Sequence, residues 1–342
     1  IPGEEDRARI DKILDFDCSW GAPGIGRFRI NILRQRSSFM IVMRVIPFEV
    51  PTLEQLQLPS VLQTVASGER GMILVTGVTG SGKSSTMAAM IDHINRTTQK
   101  HIVTLENPIE FLHRDVNCSL TQREIGTDTE SFRTGLRAAL RQDPNVILIG
   151  EMRDPETVDT AMKAAETGHL LISTLHTPDA TTTISRIIAM FLPEEQEIVR
   201  VRLADSLHAV VSQRLLRRKD GHGRVAALEV LIVTPNIRDL ILDQSRTAEI
   251  REFIAEGRDQ YGMQTFDQHL MDLVQQGAVD YDTAVANASN PSDFELQMRT
   301  FRRKSRVSTA PAAAPPAAPP AKPAANAGPD DLMSDFSSLL PS

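Results

Sequence analysis

Met72-Ile73-Leu74-Val75-Thr76-Gly77-Val78-Thr79-Gly80-Ser81-Gly82-Lys83-Ser84-Ser85 is the stretch on which the fold turns. It opens with a short apolar run of strand length. The glycine-rich part, 77–84, fits the pattern G-x-x-x-x-G-K-[ST]. Beyond it Met87, Met90, Ile91 and Ile94 recur at helical spacing. A strand, a glycine-rich loop and a helix, in that order, are the setting in which such a loop cradles phosphate. Glycine is needed where backbone approaches phosphate oxygens closely or takes positive φ. The loop's N–H groups and the helix N-terminus together form an anion site. Gly77, Val78, Thr79, Gly80, Ser81, Gly82, Lys83, Ser84 and Ser85 are therefore the expected nucleotide-binding residues. Lys83 is placed to reach the β- and γ-phosphates and the Ser84 hydroxyl to ligate magnesium, so ATP with Mg2+ is the expected ligand and its hydrolysis the expected reaction.

Outward from the loop, strands of buried type follow at 102–105, 146–149 and 170–173, and Phe132, Leu136, Ala139 and Leu140 mark a helix between them. Such alternation predicts an α/β fold with a mostly parallel sheet covered by helices on both faces. Residues 190–300 read as largely helical by periodicity. Residues 1–50 read as a small α+β piece with strands at 27–32 and 40–46, turn chemistry at 21–26, and a linker punctuated by Pro47, Pro51 and Pro59. The chain opens on Ile1 in mid-pattern, which suggests a missing N-terminal piece. Residues 310–329 are almost entirely Ala and Pro and are expected to be disordered or polyproline-like. The peptide after them, Leu332-Met333-Ser334-Asp335-Phe336, reads as a frayed end or as a short docking peptide on a tether.

Three further groups carry chemistry. Residues 146–151 form an apolar strand ending in Glu151, and strand ends of such sheets face the ligand crevice. Glu151 is placed to orient magnesium or its water. Glu106-Asn107-Pro108-Ile109-Glu110 ends another strand, and either Glu106 or Glu110 suits a base that positions and deprotonates water. His169 and His176 bracket the strand between them; their spacing alone fits satisfied structural histidines better than ligands. Arg214, Arg217, Arg218 and Lys219 form a basic run that a solvated helix end beside Gly221 and Gly223 explains as well as an anion site does.

Composition narrows the classes. With 342 residues, 41% hydrophobic and 24% charged, the chain suits a soluble protein of about two domains. No apolar run approaches the roughly 20 residues of a spanning helix. Cys18 and Cys118 are the only cysteines, which excludes a disulfide framework and a cysteine-rich zinc site and fits a reducing cytosol. A net charge of −7 and 4% aromatics argue against nucleic acid as a partner.

Taken together these motifs resemble the secretion-ATPase superfamily, and closely the type IV pilus retraction ATPases of the PilT type, over roughly residues 10–300. The loop 77–84 resembles the family's Walker A, Glu106–Glu110 its acidic box, 150–154 its atypical Walker B, and Thr167-Gly168-His169-Leu170 with Thr174-Leu175-His176-Thr177 its histidine box. Residues 234–241 resemble a retraction-type signature and 262–267 the C-terminal helical part. The resemblance implies a RecA-like P-loop core over 60–230, preceded by a truncated PAS-like α+β domain at 1–50 and a linker at 51–59. A helical region at 231–302 and a disordered tail at 303–342 follow. It makes Glu110 the catalytic carboxylate, gives Glu151 to magnesium and water, and turns His176 and His169 into active-site residues. Arg29 and Arg44 become the nucleotide contacts of the N-terminal domain. It implies a homo-hexamer in the cytoplasm, peripheral at the inner membrane, acting on a membrane platform protein, with a second retraction ATPase as a further partner. Asn107 departs from the family's aspartate, and the Ala/Pro tail is an addition. The competing readings are a PilU-type accessory ATPase, an assembly or type II secretion ATPase (whose usual four-cysteine zinc insertion this chain cannot form), a DNA translocase on the same ATP module, and a non-catalytic ring component.

Overall fold

The computed structural model describes residues 14–22, 25–47 and 49–308. Residues 1–13, the Ala/Pro stretch and the terminal peptide lie outside the described residues. The chain divides after Met298 into two units, and the first holds both sheets.

The central sheet has seven strands. These are β4 (Gly71–Thr76), β5 (His101–Glu106), β6 (Ser119–Glu124), β7 (Val146–Ile149), β8 (Leu170–Leu175), β9 (Leu207–Arg217) and β10 (Arg224–Ile232), in the order β10-β9-β4-β8-β7-β5-β6. Every pairing is parallel except β9 with β10. Strands β4, β7 and β8 are buried throughout, as parallel strands covered on both faces must be. Alternation along β4 divides the core. Met72 and Leu74 enter one apolar cluster, Ile73 and Val75 the other. Helices α1 (Val61–Ala66) and α2 (Lys83–Thr97) cover the second face through Leu62, Val65, Met90, Ile91 and Ile94. Helices α3 (Phe132–Ala139), α4 (Pro155–Glu166), α5 (Ala180–Ile188) and α6 (Gln196–Ser206) cover the first through Leu136, Val158, Met162, Ile184, Ile187 and Leu203. Each such side chain contributes about 1.5–3 kcal/mol on burial. The helix starts are fixed by side-chain caps: Ser131 accepts from the Thr134 N–H, Asp154 from that of Thr157, and Asp179 from that of Thr182.

The expectation of a largely helical 190–300 is corrected at residues 207–232, where β9 and β10 form a hairpin that extends the central sheet. Both strands are buried on both faces along most of their length, so neither shows the polar alternation that betrays a strand. The expected helices follow as α7 (Pro235–Leu242), α8 (Ile250–Glu256), α9 (Arg258–Tyr261), α10 (Phe266–Gln275), α11 (Tyr281–Asn287) and α12 (Pro291–Ser308). Phe266, Leu270, Leu273 and Phe294 pack on Leu216, Val225 and Ala227 of the hairpin. Helix α12 runs past residue 303, where the tail was expected to begin. Among the described residues no helix is long and apolar enough to cross a membrane.

The N-terminal piece is an antiparallel meander of β1 (Asp15–Ala22), β2 (Gly26–Gln35) and β3 (Ser38–Ile46). The two expected strands are there; β1, broken in pattern by Asp15, Asp17 and Gly21, was not foreseen. Among its described residues there is no helix. Arg27 of β2 ties it to the central sheet: the guanidinium lies 3.0 Å from the carboxylate of Glu124, the nearly buried last residue of β6.

Candidate active site

The parallel strands all end on one edge of the sheet, and the groups that follow them converge there. After β4 comes the glycine-rich loop, with Gly77, Gly80 and Gly82 at φ of 141°, 80° and 92°. An L-residue is strained at such angles, which is why the pattern demands glycine. Lys83 begins α2 and is 8% exposed; its ammonium donates to the carbonyls of Gly77 (2.9 Å) and Val78 (3.1 Å). Burial pulls its pKa below the usual lysine value, and the Glu110 and Glu151 charges act against that. The Ser81 hydroxyl oxygen is buried without a protein partner.

After β5 comes the acidic pair, and its surroundings separate two residues that the sequence left equivalent. Glu106 accepts from the Thr104 hydroxyl at 2.7 Å and the Gln122 amide at 3.1 Å, and burial raises its pKa. Glu110 is exposed on the cavity wall. After β7 comes Glu151, whose carboxylate pairs with Arg153 at 2.7 Å and lies 3.8 Å from His176 Nε2. The β7 end is fixed by Gly150, whose N–H donates to the Leu105 carbonyl at 2.8 Å and whose carbonyl accepts from the Thr174 hydroxyl at 2.7 Å. After β8 comes His176, half exposed.

One cavity of about 730 Å³ is lined by Thr79, Gly80, Gly82, Lys83, Ser84, Ser85, Glu106, Glu110, Glu151, His176, Arg29 and Arg44. The two arginines, fifteen residues apart in sequence, are directly paired across β2 and β3. Like charges set opposite each other on one sheet face repel. An anion between them and the loop would relieve that repulsion. Arg27 shares their face of β2, two residues before Arg29.

His169 does not join this group. It precedes β8 at the amino edge of the sheet, roughly 20 Å along the strand from His176. There its Nδ1 meets the Ala164 carbonyl at 2.9 Å, closing the end of α4. The basic run is corrected too: Arg214 and Arg217 lie on β9, not at a helix end. The Arg214 guanidinium sits 3.9 Å over the Phe266 ring and donates to the Asn287 carbonyl, while Arg218 pairs with Asp220 at 3.2 Å. Sequence reasoning missed Arg224 and His113 on the cavity wall, and it gave no role to Arg153 and Thr174 there, although both stand inside motifs it named. His113 is held neutral, its pKa pushed down to about 4 by burial.

Residues 24–286 match the family described as type II/IV secretion system protein. The chain is 46% identical over 296 residues to the twitching motility protein of Neisseria gonorrhoeae, an alignment spanning 86% of this chain and 79% of that protein. It is 45% identical over 294 residues to the type IV pilus retraction ATPase PilT of Pseudomonas aeruginosa, spanning 86% and 85%. The crystal structure of the pilus retraction motor PilT with bound ADP superposes with a TM-score of 0.79 at 43% identity, over 86% of this chain and 84% of that one. Matched along most of its length, the chain belongs to the type II/IV secretion system protein family and, within it, to the nucleotide-binding ATPases of the PilT retraction type.

Proposed function

We propose that this ATPase turns over ATP in the 730 Å³ cavity and uses the cycle to drive type IV pilus retraction. The observation that carries the site reading is the shared cavity. The phosphate loop, the strand-end groups Glu110, Glu151 and His176, and the paired Arg29 and Arg44 all border one space. In the proposed cycle the loop N–H groups and Lys83 take the β- and γ-phosphates, in place of the Gly77 and Val78 carbonyls that Lys83 now holds. Glu110 orients the attacking water and accepts its proton. His176, beside Glu151, donates toward the terminal phosphate. Arg29 and Arg44 neutralise charge from the opposite wall. Phosphoryl transfer needs mainly positioning and charge stabilisation, which this set supplies.

Magnesium fits the same residues. Among the described residues no group of three or more His, Cys, Asp or Glu side chains is gathered to hold a metal alone. Ser84 Oγ and Glu151 would hold the ion together with the nucleotide's own phosphates, the usual manner for magnesium, and bound there it would offset charge on the transferred group. Glu151 must then part from Arg153.

The retraction reading draws on the kinship with retraction ATPases. It entails a hexamer in the cytoplasm, at the face of the inner membrane, working on a platform protein and alongside a second retraction ATPase. The chain's acidic balance speaks against a DNA motor. The test is pilus retraction in a deletion strain complemented with Glu110→Gln. The variant should bind ATP, lose about 10²–10⁴ in turnover and fail to retract pili. Wild-type turnover in this variant would remove Glu110 from the mechanism. Loss of turnover with normal retraction would mark this chain as an accessory to another motor.

A further inference from the structure

We propose that Gln213, on β9, is a positioning residue for the phosphate loop: it sets the direction of a phosphate-facing N–H and thereby the affinity for the nucleotide. The inference rests on the reading of 77–84 as the nucleotide's phosphate site. Gln213 is 2% exposed, and both ends of its amide are used. Nε2 donates to the Ser81 carbonyl, and Oε1 accepts from the Thr86 hydroxyl at 2.9 Å. Thr86 is buried on the first turn of α2. The Ser81 carbonyl, which can only accept, decides which end of the amide faces the loop, and the Thr86 hydroxyl holds the other end in place.

The consequence follows from peptide geometry. In a planar trans peptide the C=O and the next N–H point in opposite directions. With the Ser81 carbonyl drawn toward β9, the Gly82 N–H points away from β9. Gly82 lines the cavity. One of the loop's anion-binding donors is therefore aimed from behind, by a side chain that never touches the ligand. The same strand explains two of the loop's glycines beyond their backbone angles. A Cβ at Gly77 would collide with the Gln213 carbonyl oxygen, and one at Gly82 would come within 2.9 Å of its Nε2. A second tie, the Thr76 hydroxyl to the Ser212 hydroxyl at 2.8 Å, holds β9 in register beside β4.

A mere strut between β9 and α2 would show the same contacts, so the test separates affinity from stability. Full-length wild type, Gln213→Met, Gln213→Glu and Thr86→Val are compared by calorimetric titration with ADP, by competition with inorganic pyrophosphate, and by melting without ligand. Gln213→Met keeps the volume and loses both hydrogen bonds. It should weaken ADP and pyrophosphate together, by about tenfold or more. Gln213→Glu keeps the acceptor for Thr86 and, when ionised, offers no donor to Ser81, so it should weaken binding at least as much at alkaline pH. Thr86→Val removes only the orienting hydroxyl and should weaken both probes about three-fold; it carries the test should the Gln213 variants not fold. ADP and pyrophosphate affinities within two-fold of wild type in the folded variants, with only the melting temperature lowered, would overturn the proposal. A wild-type chain that binds neither probe would instead overturn the reading of the loop itself.

Discussion

His169 and His176 show how a motif can be right in composition and divided in place. A strand runs between them, so only the residue at its carboxyl end reaches the crevice. His176→Ala should lower ATP turnover by about tenfold or more, as expected when a charge-stabilising donor is lost. His169→Ala should leave turnover within two-fold and cost about 0.5–1.5 kcal/mol of stability, the net worth of its bond to the Ala164 carbonyl. Steady-state kinetics beside thermal melts distinguish the two, and a collapse of turnover in the His169 variant at unchanged stability would reverse the assignment. At this scale the loop residues and Glu151 were legible because the chemistry dictates residue type at fixed spacing. The choice between Glu106 and Glu110 was left open by spacing and was made only by the family resemblance. Thr104 and Gln122, which tie Glu106 down, are partners that spacing alone does not reveal. Gln213 was less legible still, since nothing in Val210-Val211-Ser212-Gln213 marks one amide as facing a loop more than a hundred residues earlier.

Among the elements, the hairpin β9–β10 holds the largest surprise and its own prediction. Its Ala226-Ala227-Leu228 segment favours helix locally, and only pairing with β9 and burial on both faces make it strand. Glu229 of β10 is 5% exposed and accepts the Ala180 N–H at 2.9 Å, fixing the start of α5 and hence the segment that follows His176. Burial is the main cause pushing its pKa up to about 7; the Asp179 charge adds to this, and Arg251 and Arg214 oppose it. A carboxyl that titrates near 4.5 unfolded and near 7 folded stabilises the fold fully below pH 4.5. That contribution is lost as pH rises through 7. The melting temperature of wild type should therefore fall between pH 5 and 8 relative to Glu229→Gln, whose amide does not titrate. Parallel pH profiles for the two chains would exclude the raised pKa. The buried strands β4, β7 and β8 were readable from apolar runs at 72–75, 146–149 and 170–172. Strand β6, Ser-Leu-Thr-Gln-Arg-Glu at the sheet's edge, gave no such run and was invisible.

For the molecule as a whole, the small antiparallel sheet meets the nucleotide core through few charges. Arg27 with Glu124 makes an ion pair that docks it, and Arg29 with Arg44 brings two cations to the cavity. Removing Arg29 should leave the fold intact and cut turnover by about 10³-fold or more, in the range seen for arginines that stabilise phosphoryl transfer. The check is ATPase activity beside the far-ultraviolet spectrum of Arg29→Ala; intact turnover with lowered stability would reduce Arg29 to a strand-edge charge. Finally, Gln213 and Arg214 are neighbours on β9, and successive strand residues project to opposite faces. One grips the phosphate loop, the other clasps Phe266 and Asn287 among the C-terminal helices. A paired strand hardly stretches, so it behaves as a stiff rod passing through a wall. The phosphate loop and the C-terminal helices are thus moored to one strand one residue apart, so a shift of that strand would displace both moorings together.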